Sequence, residues 1–160
     1  MKLHQQDWEI VSAIRRDLGL ERTIIYVENP RVETSLYNHI EGIVEVNPYI
    51  EDDLKVFYII HEIRHAWQYD MAEVWGNAEY IRHFENYKTM EDCKDRTEYN
   101  LQFLEVDAVA YSIIMADFFF LPEIGFPLAS DEELAAIEKR VEEIIEERRA
   151  GRIYPYLFNI

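Results

Sequence analysis

The segment from Val56 to Gln68, VFYIIHEIRHAWQ, constrains this chain more than any other. It reads as a single helix, apolar along most of its length, into which His61, Glu62, Arg64 and His65 are set. Buried polar groups must be paired, so a merely structural helix gains nothing from two histidines and a glutamate near its core. Positions four apart lie one above the other on a helix. His61 and His65 can therefore present two imidazole nitrogens to one cation, at roughly 2.0–2.1 Å each for zinc. Glu62 is rotated about 100° from its neighbour, which suits a carboxylate that reaches a metal-bound water rather than the metal. Zinc lowers the pKa of such a water toward about 7, and a carboxylate can then take its proton. Two histidines and a glutamate at HExxH spacing are what metal-assisted hydrolysis requires.

A catalytic zinc usually keeps three protein ligands and one open position, so a third ligand must come from elsewhere in the chain. The extended metzincin pattern would place a histidine six residues after His65, but Met71 stands there. Three candidates remain. Glu105 lies in the apolar stretch FLEVDAVAY, with small Ala108 nearby, where two helices could approach closely. Asp107 is its rival, or else an acceptor that orients a ligand histidine. His83 lies on the intervening helical segment. Gln68, seven residues after His61, shares its helical face and is a candidate for contact with substrate or with a ligand. Arg64 points partly away and is expected to pair with an acidic neighbour. Tyr111 is a candidate hydroxyl for stabilising an oxyanion.

Around this helix the chain reads as α+β, with a small, mostly antiparallel sheet leading into a helical body. Gln5–Leu18 is an amphipathic helix with Trp8, Val11, Ile14 and Leu18 on one side and Gly19 as its stop. Thr23–Val27, Ser35–Ile40 and Gly42–Val46 read as strands. Asp52 or Asp53 is the expected cap of the HExxH helix, which runs to about Tyr69. Further helices are expected over Ala72–Tyr87 and Lys94–Phe120, the latter broken by Pro122, Gly125 and Pro127. A last helix starts at Ser130, with Glu133 placed for a capping box and Leu134, Ile137, Val141 and Ile144 at helical steps. The aromatic, apolar end Ile153–Ile160 is expected to pack on the body or to meet a partner. No repeat or linker divides the 160 residues, so one domain spanning 1–160 is expected.

The charge balance narrows the partners. A net charge of −16 repels phosphate backbones and anionic membrane surfaces, so neither nucleic acid nor membrane is expected. The most apolar stretch, Ala108–Leu121, is too short to span a bilayer and contains Asp117. Residues 1–20 lack the apolar core of a signal peptide. Cys93 is the single cysteine, which excludes an intrachain disulfide. A cytoplasmic location is the expectation.

HEIRHAWQ, followed some forty residues later by LEVDAVAYS, resembles the minimal gluzincin-type metallopeptidases. That group includes the ImmA/IrrE-type proteins and phage and bacterial proteins with an HExRHxxQ helix. The resemblance covers Val56 to Ser112. It implies a zincin-like fold, a Zn²⁺ cofactor held by His61, His65 and Glu105, and Glu62 as general base. It also implies a peptide or protein substrate. The chain departs from the group at Val109, where gluzincins often have aspartate, and at Arg64, where ImmA-type proteins usually have glycine. The function expected is zinc-dependent peptide-bond hydrolysis through a zinc-bound water. The alternative is a metal-binding, non-hydrolytic interaction protein that retains the site.

Overall fold

The structure, a computed structural model, describes residues 1–122 and 124–151, so the segment 153–160 lies outside the described residues. In chain order the elements are α1 (Gln5–Asp17), β1 (Ile25–Glu28), β2 (Ser35–Asn38), β3 (Ile43–Val46), α2 (Asp52–Glu73), α3 (Ala78–Glu85), α4 (Arg96–Asn100), α5 (Phe103–Phe118) and α6 (Asp131–Arg149). The class is α+β. Among the described residues, no helix is long and apolar enough to cross a membrane.

The sheet is mixed, not mostly antiparallel. Its order is β1-β3-β2, with β3 in the middle, parallel to β1 and antiparallel to β2. The β2–β3 hairpin is closed by Asn38, whose side-chain oxygen accepts the backbone N–H groups of Ile40 and Glu41. Gly42 belongs to this turn and not to the strand. Its φ of 68° suits glycine, and an added Cβ would stand 3.2 Å from the Thr23 carbonyl. The Gly42 carbonyl in turn accepts from Ile25 N–H at 2.9 Å, which starts the parallel pairing. That pairing joins strands eighteen residues apart in register, Ile25 opposite Ile43, and alternation within a strand says nothing about such a partner.

Helix α2 is the hub. It packs on the sheet through β2 and β3, on α1, on α3 and on α5, while α6 covers the far side of α5. Val56, Ile59, Ile60, Ile63, Ala66 and Trp67 from α2 meet Val11 and Ile14 of α1, Val44 and Val46 of β3, and Leu104, Tyr111 and Met115 of α5. Neither Asp52 nor Asp53 stands at the cap position of α2. Glu51 occupies the cap position, and Asp52, inside the first turn, accepts from Lys55 Nζ at 2.7 Å. The helix runs to Glu73 and swallows the start of the expected next one. A break follows at 74–77, where Gly76 has φ 61° and the Asn77 side chain accepts from the N–H groups of Glu79 and Tyr80. The segment 94–120 is likewise two helices, because Leu101 and Gln102 interrupt the ladder between α4 and α5. At Ser130 the capping box with Glu133 is present. Leu134 is exposed, however, and only Ile144 of that apolar series is fully buried.

One carboxylate ties three helices together. Asp107 of α5 is fully buried and accepts from Arg64 of α2 at 2.8 and 3.1 Å, from Arg140 of α6 at 2.9 Å, and from the Gln68 amide at 2.8 Å. The Arg64 guanidinium also lies over the Trp67 ring, 3.7 Å from its centroid. Burial would raise the Asp107 carboxyl, but the two guanidinium groups and the amide bring it down to about 2. A pKa depressed below the unfolded value of 3.8 contributes stability above that value and loses it as pH falls through the folded one. Wild type should therefore lose about 2 kcal/mol more than Asp107→Asn between pH 4 and pH 2. At neutral pH the substitution should cost roughly 3–5 kcal/mol, because it leaves buried guanidinium charge unpaired. Urea unfolding across that pH range checks both; coincident pH profiles for the two proteins would count against the network.

Candidate metal centre

His61 and His65 stand one turn apart on α2, and Glu105 faces them from the first turn of α5. Their ligand atoms converge. The two Nε2 atoms are 3.0 Å apart, and Glu105 Oε2 is 3.5 Å from His61 Nε2 and 3.6 Å from His65 Nε2. Among the described residues these three side chains form the group of histidine, cysteine and carboxylate ligand atoms close enough to share one ion. Ligand atoms around a tetrahedral zinc at 2.0–2.1 Å stand about 3.3 Å from one another, a value the three observed separations bracket. The donor set, two imidazoles and one carboxylate, is one that zinc takes in catalytic sites.

The second atoms of His65 and Glu105 are occupied by the protein. Gln68 donates its amide N–H bonds to the Leu104 carbonyl at 3.0 Å and to Asp107 at 2.8 Å. Both partners only accept, so the orientation of the amide is fixed and its oxygen faces His65 Nδ1 at 2.8 Å. His65 must donate there, so Nε2, which faces His61 and Glu105, is the nitrogen left to bind a cation once it gives up its proton. The chain Arg140–Asp107–Gln68–His65 thus runs from α6 to the site. On Glu105 the remaining oxygen, Oε1, lies 2.7 Å from the Tyr87 hydroxyl and 2.9 Å from that of Tyr99. Burial first, and then the Glu105 carboxylate, pushes both phenols well above their ordinary value, so both remain protonated.

Glu62 lies in the same cleft but not in the ligand group. Its Oε1 accepts from the Ser35 hydroxyl of β2 at 2.6 Å. The cleft holds about 530 Å³ and runs between β2 on one side and α4 and α5 on the other. Thr34, Ser35 and Leu36 line it, as do the apolar side chains of Phe57, Val106, Val109 and Phe126. The strand beside the site is therefore β2, an edge of the sheet, whereas β3, the strand that leads into α2, is central.

Other candidates fall elsewhere. Asp107 is enclosed by its arginines and takes no part in the ligand group. It supports His65 only through Gln68. His83 stacks on Phe103, with ring centroids 4.0 Å apart, and pairs with Glu79 of its own helix. Tyr111 is fully buried and donates to Asp17 at 2.8 Å, outside the cleft. Its apolar neighbours in sequence carry it into the core, where it cannot reach a substrate. Tyr87, Tyr99 and Ser35 were not singled out from the sequence. No spacing rule connects them to HExxH, since each comes from a different element and only the tertiary fold brings them in.

No protein-family model, curated protein or solved structure matches this chain. The site is thus read from its own geometry. Burial pushes the His65 imidazolium down, but Glu105 foremost, with Glu62 and Gln68, lifts it to about 9. Burial likewise would raise the Glu105 carboxyl, and the two histidines hold it well below its ordinary range. A cation must then displace a proton from His65 to bind. Zinc titration near neutral pH should show about one ion per chain with release of about one proton, and apparent affinity should fall as pH drops. Glu105→Ala should weaken binding more than Asp107→Ala. Calorimetry in buffers of different ionisation enthalpy reads the proton, and a chromogenic chelator reads affinity. Zinc held in Glu105→Ala but lost in Asp107→Ala would reverse the ligand assignment.

Proposed function

We propose that this protein is a zincin-like zinc metallopeptidase, with His61, His65 and Glu105 holding the ion and Glu62 as general base. The observation that carries the reading is the placement of Glu62. It follows His61 directly in sequence, yet it is bound to Ser35 and faces the same cleft as the ligand group without joining it. A carboxylate fixed beside a metal group, in an open cleft, is arranged for proton transfer and not for ligation.

A zinc ion at this site supplies Lewis acidity to a scissile carbonyl and acidifies water toward neutral pH. The chain's own groups do the rest. The Ser35 hydroxyl occupies Glu62 Oε1, which leaves Oε2 to take the proton of the attacking water and later to pass it to the leaving amine. Glu105 and Gln68 hold His65 in place, and Gln68 sets its tautomer. Among the described residues β2 pairs on one side only, and its other edge offers backbone donors and acceptors beside the cleft, the means by which an extended peptide is commonly held. The apolar lining contributed by Phe57, Val106, Val109 and Phe126 suits a peptide side chain more than a charged small molecule.

Glutamine in place of Glu62 keeps the size of the side chain and can still accept from Ser35, but it cannot take a proton. Glu62→Gln should therefore bind zinc as wild type does and lose roughly 10²–10⁴ in hydrolytic rate. A mixed peptide library read by mass spectrometry, with zinc content measured in parallel, makes the comparison. Undiminished cleavage by Glu62→Gln would remove Glu62 from the mechanism. A zinc-loaded wild type inert across the library would favour a non-hydrolytic metal-binding protein.

A further inference from the structure

Tyr87 follows α3, Tyr99 lies on α4 and Glu105 opens α5, so three separate elements deliver one polar cluster. The two hydroxyl oxygens are 2.7 Å apart, and each also lies within hydrogen-bond distance of Glu105 Oε1, at 2.7 and 2.9 Å. The cluster is tied in place from outside. Lys88 N–H donates to Gln102 Oε1 at 2.6 Å, and Gln102 Nε2 donates back to the Lys88 carbonyl at 2.9 Å. These bonds pin the residue after Tyr87 to the junction between α4 and α5. The Asp95 side chain caps α4 by accepting from Glu98 N–H at 2.8 Å.

Counting hydrogens shows what the pair does. Three oxygen–oxygen contacts share two phenolic protons, since the carboxylate brings none. Either both phenols donate to Oε1, or Tyr99 donates to Tyr87 and Tyr87 to Oε1, or the reverse. Every arrangement directs at least one hydrogen bond to Oε1. Removal of either hydroxyl leaves the other in reach of it.

Resting on the zinc reading above, we propose that Tyr87 and Tyr99 are paired positioning residues for the metal ligand Glu105. They occupy Oε1 so that Oε2 alone is presented to the ion, and either phenol suffices. The consequence is one-oxygen ligation by Glu105, which leaves room at the metal for water and substrate. Without both hydroxyls, Oε1 loses its partners and the carboxylate is free to chelate with two oxygens or to turn away.

The test uses the full chain and its Tyr87→Phe, Tyr99→Phe and double Phe variants, each checked for fold by circular dichroism. Zinc dissociation constants come from chelator competition. Visible spectra of the cobalt-substituted proteins report coordination number, because the bands weaken as coordination rises above four. Each single variant should bind zinc within about threefold of wild type, while the double variant should bind roughly 10- to 100-fold more weakly, the usual effect of removing groups that orient a ligand. Its cobalt spectrum should also change. A double variant that binds within threefold and keeps its spectrum would overturn the proposal, as would a single variant as weak as the double. If the double variant does not fold, a crystal structure of zinc-loaded wild type decides. One Glu105 oxygen on the ion supports the proposal, and two overturn it. Wild type that takes up no zinc overturns the metal reading and this proposal together, whereas tight wild-type binding with an equally tight double variant overturns this proposal alone.

Discussion

A carboxylate buried beyond the reach of water must be paired, and Asp107 is paired from two other helices at once. That requirement sets much of the molecule. It brings α2, α5 and α6 to fixed separations, because Arg64, Asp107 and Arg140 meet at one point. It also orients Gln68, whose amide N–H bonds go to Asp107 and to the Leu104 carbonyl. Gln68 in turn fixes His65. A structural ion network and the candidate metal site are thus one continuous chain of hydrogen bonds. Breaking it costs stability and ligand geometry together.

The site follows a single pattern at His65, Glu105 and Glu62. One polar atom is held by the protein and the other is left facing the cleft. His65 gives Nδ1–H to Gln68 and turns Nε2 outward. Glu105 has Oε1 beside two phenols and Oε2 beside the histidines. Glu62 has Oε1 bound to Ser35. Flexible side chains lose conformational freedom when they bind an ion or a substrate. Here that loss is already met in the fold, by partners drawn from β2, α2, α4 and the segment after α3.

Local features were legible in the sequence where a short-range rule exists. Helical spacing put His61 and His65 on one face, and their Nε2 atoms are 3.0 Å apart. Ser130 and Glu133 announced the start of α6. Glu105, polar within an apolar stretch, drew attention for that reason, and it faces the histidines. What was not legible depends on distant partners. The parallel β1–β3 pairing comes from the way the hairpin folds back, not from either strand's composition. The break at 101–102 falls at Leu101-Gln102, where a continuous helix satisfies local preference, whereas the break at 74–77 carries local signals of its own in Gly76 and Asn77, across which a helix over Ala72–Tyr87 was expected. Tyr111 was a candidate by its proximity to Glu105 in sequence, yet six residues along a helix carry it about 120° round the axis, into the core against Asp17. Ser35, Tyr87 and Tyr99 carry no signal in sequence, since they matter only through what the fold sets beside them.

The most direct test of the central claim is the position of the ion itself. A crystal of the zinc-soaked full chain, measured on either side of the zinc absorption edge, locates the metal without reference to activity. The expected result is one strong anomalous peak bonded to His61 Nε2, His65 Nε2 and Glu105 Oε2, with Glu62 beside it and unbonded. A principal peak elsewhere, or zinc held by Glu62 with Glu105 turned away, would contradict the reading of this cleft as a zinc hydrolase site.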